Sequence, residues 1–160
     1  MNRQHLLITL LLTASAWIAT PAQAADVMTF PGSICHASDP SQAGKILRSV
    51  AGVQNTSSTT AVMVNCPLVR DNHSNFNGTD LVRVYAYRSS SAGATSLQCT
   101  LSSRNSDGGS VASNTASYSG IGSTFLTMDV DASTFGGYYV VSCYLPPASS
   151  IRGIYLDEVL

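Results

Sequence analysis

Apolar and polar residues alternate along much of the chain, and this alternation is the main indication of its secondary structure. Successive side chains of a strand point to opposite faces, so each alternating segment predicts a strand with one buried face. The clearest segments are Thr59–Leu68, Thr95–Ser102, Thr124–Val130 and Gly137–Leu145. Weaker ones are Val27–Phe30, Lys45–Val53, Leu81–Arg88 and Ser150–Val159. Together they predict about seven to nine strands.

Turn-forming residues separate these segments. Asn77-Gly78 favours a tight hairpin turn, and Pro146-Pro147 should end the strand before it, because proline cannot donate to a ladder. The stretch from Ser102 to Ser123, rich in Ser, Gly and Asn, is typical of a loop or an edge strand. The pattern predicts an all-β fold, a single antiparallel β-sandwich of jelly-roll or immunoglobulin-like topology, without long helices.

The first 24 residues have the organisation of an export signal. Arg3 precedes an apolar stretch from Leu6 to Ile18, and Ala22-Gln23-Ala24 has the small-x-small pattern of a signal-peptidase site. The apolar stretch is too short for an anchor, and we expect no membrane span after it. The sequence therefore predicts a signal peptide at residues 1–24 and one secreted or periplasmic domain at residues 25–160.

All four cysteines lie in the predicted mature part, at Cys35, Cys66, Cys99 and Cys143. An even number in an exported chain predicts two disulfides, for which three connectivities exist. We favour Cys35 with Cys66 and Cys99 with Cys143. This pairing ties the N-terminal segment to an early strand and joins two later strands whose cysteines have similar apolar neighbours. Each closed loop would add roughly 3–4 kcal/mol of stability.

Charge is sparse in this chain. Only 11% of residues are charged, and 8 Lys and Arg against 9 Asp and Glu give a formal net charge of −1. Such a balance does not attract nucleic acid or an anionic membrane, so we expect neither as a partner. The sequence does not indicate the oligomeric state.

The sequence predicts no catalytic, metal or cofactor site. His36 and His73 are the two histidines beyond the signal, and no serine lies in the G-x-S-x-G turn of hydrolases. The loop Asp71–Asp80 is rich in oxygen ligands, but Phe76 stands where an EF-hand needs glycine. Whether this loop binds calcium or is held only by Asx turns stays open.

Four tyrosines are the candidate ligand-binding residues: Tyr85, Tyr87, Tyr138 and Tyr144. Tyr85 and Tyr87 share one face of their predicted strand, and Tyr138 and Tyr144 share the face of theirs opposite the cysteine. If the two strands were neighbours, the rings would form a platform able to stack on sugar rings. The alternative is that the rings stabilise the sheet as cross-strand pairs or lie under a loop.

Two short segments carry a resemblance to known proteins. Residues 65–71 read NCPLVRD, and residues 142–146 read SCYLP, followed by a final predicted strand. This pairing of C-P-[LV]-x-R and C-x-L-P segments resembles a group of small exported bacterial β-rich proteins without an assigned activity. The resemblance implies export and a β-sandwich, and it implies no mechanism.

These observations favour a non-enzymatic secreted domain with a binding or structural role at the cell surface or in the medium. The expected partner is a polysaccharide or another surface polymer, and carbohydrate binding competes with protein interaction as the specific role. The alternatives are a protein-interaction domain, a hydrolase inhibitor and a small secreted hydrolase. Exposed coplanar rings would favour a glycan, whereas a flat Ser/Thr face beside an unpaired edge strand would favour a protein.

Overall fold

The computed structural model describes residues 26–70, 80–89 and 95–158. These residues contain eleven strands and two short 3₁₀ helices, Gly32–Ile34 and Pro40–Lys45. The strands in chain order are β1 (Asp26–Pro31), β2 (His36–Ala37), β3 (Ile46–Ser49), β4 (Gly52–Asn55), β5 (Val62–Leu68), β6 (Asp80–Arg88), β7 (Leu97–Arg104), β8 (Ser110–Tyr118), β9 (Gly122–Val130), β10 (Tyr138–Leu145) and β11 (Ser149–Glu158). No helix in these three ranges has the length and apolar character needed to cross a membrane.

The strands form two antiparallel sheets that pack face to face. The front sheet has the order β3-β4-β11-β6-β9, with β1 also paired to β11, and the back sheet has the order β2-β5-β10-β7-β8. Consecutive strands are neighbours in one sheet only at β3–β4 and β7–β8; at the other connections the chain changes sheet. The predicted antiparallel β-sandwich is therefore confirmed, in a jelly-roll arrangement.

The core lies between the sheets and follows the alternation of the sequence. In β5, Val62, Val64, Cys66 and Leu68 are buried, while the residues between them face outward. Strand β6 of the front sheet alternates in the same way, with Val82, Val84 and Ala86 inward. Because both sheets bury one face against the other, their outer faces are left for solvent or a ligand.

Both predicted disulfides are confirmed. Cys35 is bonded to Cys66, and Cys99 is bonded to Cys143. The second bond joins residues that lie directly opposite each other on β7 and β10. All four cysteines are buried, so each bond is part of the core.

The predicted number of strands was too low, because three strands had no predicted segment of their own: β2, one strand of the β3–β4 hairpin, and β8. Lys45–Val53 is a hairpin of β3 and β4 rather than one strand, and Gly52 turns the chain there with φ +124°. The Ser102–Ser123 stretch contains the edge strand β8, so the edge-strand alternative was right. Strand β10 ends at Leu145 before Pro146-Pro147, as expected.

Some expectations concern residues outside the described ranges. These are the signal peptide at residues 1–24, the Asn77-Gly78 turn, His73, and all of the oxygen-rich loop except Asp80. They stay predictions.

Candidate functional site

The outer face of the front sheet carries a continuous group of aromatic side chains. Strand β6 contributes Tyr85 and Tyr87, β9 contributes Phe125, and β11 contributes Tyr155. All four rings lie at outward positions of the alternation, and Phe125 is 54% exposed. We call these four residues, together with Arg152, the aromatic face.

Tyr85 and Phe125 form the centre of this face. They are directly opposite each other in the β6–β9 register, and their rings stack with centroids 5.0 Å apart and an interplanar angle of 28°. Tyr155 extends the group toward β1, with its ring 6.0 Å from that of Phe125 and tilted by 59°. Offset stacking of this kind holds the rings in a fixed orientation, so they present a prepared surface to a ligand.

Arg152 covers the other end of the aromatic face. Its guanidinium carbon lies 4.7 Å from the centroid of the Tyr87 ring and 5.8 Å from that of Tyr85. The register between β11 and β6 shifts between Ile151 and Gly153, so Arg152 is the extra residue of a β-bulge. Bulges re-aim a side chain out of the ordinary alternation, and here the bulge turns Arg152 onto the tyrosines.

Two glycines allow the backbone to pack tightly behind this bulge. A Cβ atom at Gly32 would lie 2.2 Å from the carbonyl oxygen of Ile151, and one at Gly52 would lie 2.0 Å from the same oxygen. No side chain fits at such distances, and Gly52 also has a positive φ that disfavours other residues. The position of Arg152 therefore depends on glycine at both sites.

Open depressions flank the central Tyr85–Phe125 pair on both sides. One, of about 180 Å³, includes Gln54, Tyr87, Ser150 and Arg152 in its lining. The other, of about 520 Å³, is lined by Val27, Arg83, Phe125, Thr127 and Tyr155. Among the residues that the structure describes, neither lining includes a histidine or a carboxylate. The face can therefore stack on and hydrogen-bond to a ligand, but it offers no acid–base pair.

The electrostatic environment of Tyr85 differs from that of an ordinary tyrosine. A side-chain hydrogen bond with Ser123 lowers the pKa of Tyr85, and the nearby positive charge of Arg152 lowers it further, against a smaller opposing effect of burial. Both partners stabilise the phenolate.

The four predicted tyrosines do not form one platform. Tyr85 and Tyr87 belong to the front sheet, whereas Tyr138 and Tyr144 lie on β10 in the middle of the back sheet. A single platform required the two strands to be neighbours. This condition is not met, because β6 and β10 are in different sheets and their outer faces point in opposite directions. Whether any of the four binds a ligand stays a prediction.

The back-sheet tyrosines are also separated from each other. Tyr138 is opposite Arg104, and Tyr144 is opposite Met63 and Gln98. The two tyrosines are six residues apart on β10, which corresponds to about 20 Å along the strand. Between them the outer face is polar: Ser142 donates to Asn65, and the hydroxyls of Thr100 and Thr115 are 2.8 Å apart. This face has the flat Ser/Thr character expected of a protein-binding surface, whereas the front face has the stacked rings.

Sequence reasoning missed Phe125, Tyr155 and Arg152. Phe125 could have been found, because it is a large apolar residue at an outward position between Thr124 and Leu126. Arg152 also had a signal, because the alternation shifts phase between Ile151 and Ile154 and a glycine inside a strand, here Gly153, often marks a bulge. Tyr155 joins the group only through the pairing of β11 with β6, which is a long-range feature.

A buried charged cluster closes one end of the sandwich. Arg70 lies 3.6 Å from Asp80 and 3.5 Å from Glu158, and its guanidinium carbon is 5.0 Å from the centroid of the Tyr139 ring. The Tyr139 hydroxyl donates a hydrogen bond to Asp80. Burial raises the pKa of Tyr139, and the Asp80 carboxylate raises it further. These groups pair with one another, so the cluster has a structural role.

The remaining chemical candidates have no site around them within the described ranges. His36 is exposed on β2 and forms no ion pair with a carboxylate that the structure describes. Within those same ranges, no group of three His, Cys, Asp or Glu residues is close enough to hold a metal ion.

Comparisons with known proteins concern the fold. No protein-family model matches this chain, and no curated protein matches it. Among solved structures, the xylan-binding module CBM15 superposes with a TM-score of 0.57 at 12% identity, over 84% of this chain and 97% of that one. BiXyn10A CBM1 in its apo form superposes with a TM-score of 0.54 at 8% identity, over 82% of this chain and 97% of that one. At such identities the similarity shows a shared fold and leaves the ligand open.

Proposed function

We propose that this protein is a non-catalytic carbohydrate-binding domain and that the aromatic face of the front sheet is its binding site. The observation that carries the proposal is the stacked Tyr85–Phe125 pair, in which Phe125 is exposed and borders one open depression, while a second depression lies beside Tyr87 and Arg152. Sugar rings present apolar C–H faces and hydroxyl edges. An aromatic ring with a neighbouring hydroxyl and guanidinium complements both.

The site is extended rather than enclosed. From Gln54 at one end to Val27 at the other, the two depressions and the central pair follow the direction of strands β6 and β11. A surface of this shape suits a chain of several sugar units better than a single small molecule, which proteins usually enclose in a deep pocket. The proposed ligand is therefore a polysaccharide.

Two further observations support the proposal. A protein named as a xylan-binding module shares this fold over most of its length. The depressions also lack histidine and carboxylates, in keeping with binding without hydrolysis. The two disulfides agree with a place outside the cytosol, and we propose that the domain is secreted or periplasmic.

Pull-down on insoluble polysaccharides tests the proposal. The purified protein is incubated with cellulose, xylan, mannan, chitin and pectin, and the bound fraction is eluted with soluble oligosaccharides of the same polymer. Retention on at least one polymer and elution by its own oligosaccharide are expected. A folded protein that stays in solution with every polymer would contradict carbohydrate binding, and a protein partner for the Ser/Thr face would replace it.

A further inference from the structure

Two arginines flank the aromatic face, and neither forms an ion pair among the described residues. Arg152 lies over Tyr87 and Tyr85, and Arg83 lines the depression on the other side of the central pair. The ion pairs of the described residues are those of Arg70 in the buried cluster, and neither flanking arginine takes part in one. Both side chains are exposed at outward positions.

Arg152 is positioned for an anion by its neighbours. Its guanidinium lies over the ring of Tyr87, and such contacts leave the N–H donors at the edge of the guanidinium free for a carboxylate or sulfate. The bulge at Ile151 and Gly153 and the close packing of Gly52 fix the backbone that carries it. Little side-chain freedom remains to be lost when an anion binds.

Arg83 provides a second positive charge at a fixed distance. It lies opposite Tyr155 on β11 and Thr127 on β9, three residues along β11 from Arg152. That spacing corresponds to about 10 Å along the strand. The Tyr85–Phe125 pair lies beside this line, so a sugar stacked there would have a guanidinium on either side.

The acidic groups of the front sheet lie beyond this region. Asp129 and Asp157 are both opposite Leu81, one step past Arg83 along β6. Asp129 accepts a hydrogen bond from the Asn114 amide. Both carboxylates therefore lie on the same face as Arg83, at its diagonal cross-strand positions. The positions of the four rings and of Arg152 carry no carboxylate, although the whole chain has a net charge of −1.

We infer that the polysaccharide recognised by this face is acidic, with carboxylate or sulfate groups carried on its sugar rings. The inference rests on the proposed function and specifies its ligand. Guanidinium groups bind carboxylate and sulfate oxygens in pairs, and the rings hold the sugar between them. A neutral polymer would leave both arginines without a charged partner.

The arginines could instead serve the sheet alone, as cation–π partners of its tyrosines. In that case they would contribute to stability and would not select a ligand. The two roles differ in one measurable respect: a structural arginine affects neutral and acidic polymers equally, whereas a binding arginine affects the acidic ones.

Affinity electrophoresis with matched polymers tests the inference. The pairs are polygalacturonate with its carboxyl-reduced form, glucuronoxylan with its carboxyl-reduced form, and carrageenan with its desulfated form. We expect retardation by at least one acidic member and about tenfold weaker retardation by its neutral counterpart. The carboxylated and sulfated pairs distinguish the two anionic groups. About 0.5 M sodium chloride should reduce the acidic interaction, because exposed charges are screened.

Arg152→Gln and Arg83→Gln test whether these arginines cause the preference for the acidic polymer. Arg104→Gln on the back sheet is the control. The first two should remove most of the preference for the acidic member, while the control should keep it. Equal retardation by both members of a pair would overturn the acidic ligand and leave carbohydrate binding intact. A folded protein that no polymer retards would overturn both proposals, and an unchanged preference in both front-sheet variants would overturn the role of the arginines.

Discussion

Tyr85 and Phe125 lie directly opposite each other on β6 and β9 and stack at 5.0 Å on the outside of the sandwich. Two large rings in this position cover each other only in part, since Phe125 remains 54% exposed. A cross-strand aromatic pair stabilises a sheet by about 0.5–1.5 kcal/mol beyond the area that it buries. This gain does not require exposure, and under the proposed function the exposed ring is the surface that stacks on a sugar.

The first prediction concerns the stability of this pair. Tyr85→Ala combined with Phe125→Ala should lower the free energy of unfolding by only about 1 kcal/mol, because both rings are outside the core. Urea denaturation measures this change. Val84→Ala provides the comparison, because it truncates a buried side chain next to Tyr85 in the sequence and should cost about 1–3 kcal/mol. A larger loss in the surface variant than in Val84→Ala would show that the rings are chiefly structural.

The second prediction concerns the disulfide between Cys99 and Cys143. Its closed loop spans a sequence separation of 44, and replacing both residues with alanine should lower the free energy of unfolding by about 4 kcal/mol. Urea denaturation of the oxidised variant measures it. The pair Cys35 and Cys66, with a separation of 31, should give a slightly smaller loss. A Cys99/Cys143 variant with an unchanged unfolding midpoint would contradict the prediction.

The third prediction concerns alkaline pH and the buried cluster. Because burial and then Asp80 raise the pKa of Tyr139 above 10.0, the folded state holds this proton more tightly than the unfolded chain. The resulting stability is complete below about pH 10 and is lost as the pH rises toward the folded-state pKa. Titration by ultraviolet absorbance should therefore show one tyrosine that ionises only when the protein unfolds.

Tyr139→Phe should abolish that late step in the titration, whereas Tyr138→Phe on the exposed neighbour should preserve it. Tyr139→Phe also removes the donor to Asp80 and should cost about 1–3 kcal/mol at neutral pH, because a buried carboxylate loses a hydrogen bond. A late step that persists in Tyr139→Phe would assign it to another residue and contradict the prediction.

The fourth prediction concerns Tyr85. Since its hydrogen bond with Ser123 lowers the pKa of Tyr85, this residue should ionise at a lower pH than a tyrosine of ordinary pKa. Ser123→Ala should move its ionisation toward that of an ordinary tyrosine, and difference absorbance against Tyr85→Phe isolates the signal. If Ser123→Ala left the titration unchanged, the Ser123 hydrogen bond would not be its cause.

The sequence was sufficient for those features that depend on alternation within one segment. The inward positions of Val62, Val64 and Cys66 were predictable because these residues recur with a period of two on one face of the segment. The disulfide pairing was a preference among three connectivities, and the structure has that pairing. Alternation does not say which strands are neighbours, however. The alternation was therefore compatible with a platform shared by Tyr85 and Tyr138, whereas the sheet order puts the two residues on opposite outer faces.

The candidate site was predictable only in part for the same reason. Tyr85 and Tyr87 share one strand, so their common face follows from the period of two. Phe125 and Tyr155 reach them through the pairing of β6 with β9 and β11, which depends on contacts distant in sequence. Arg152 depends on a bulge held by Gly32 and Gly52, and such irregularities lie outside any repeating pattern.

The affinity of two double variants for the retained polymer tests the central claim most directly. Isothermal titration compares wild type with Tyr85→Ala/Phe125→Ala on the front face and Tyr138→Ala/Tyr144→Ala on the back face. We expect the front-face variant to bind at least about tenfold more weakly and the back-face variant to bind as wild type. Unchanged affinity in a folded front-face variant, or loss of binding only in the back-face variant, would contradict the assignment of the binding site to the front sheet.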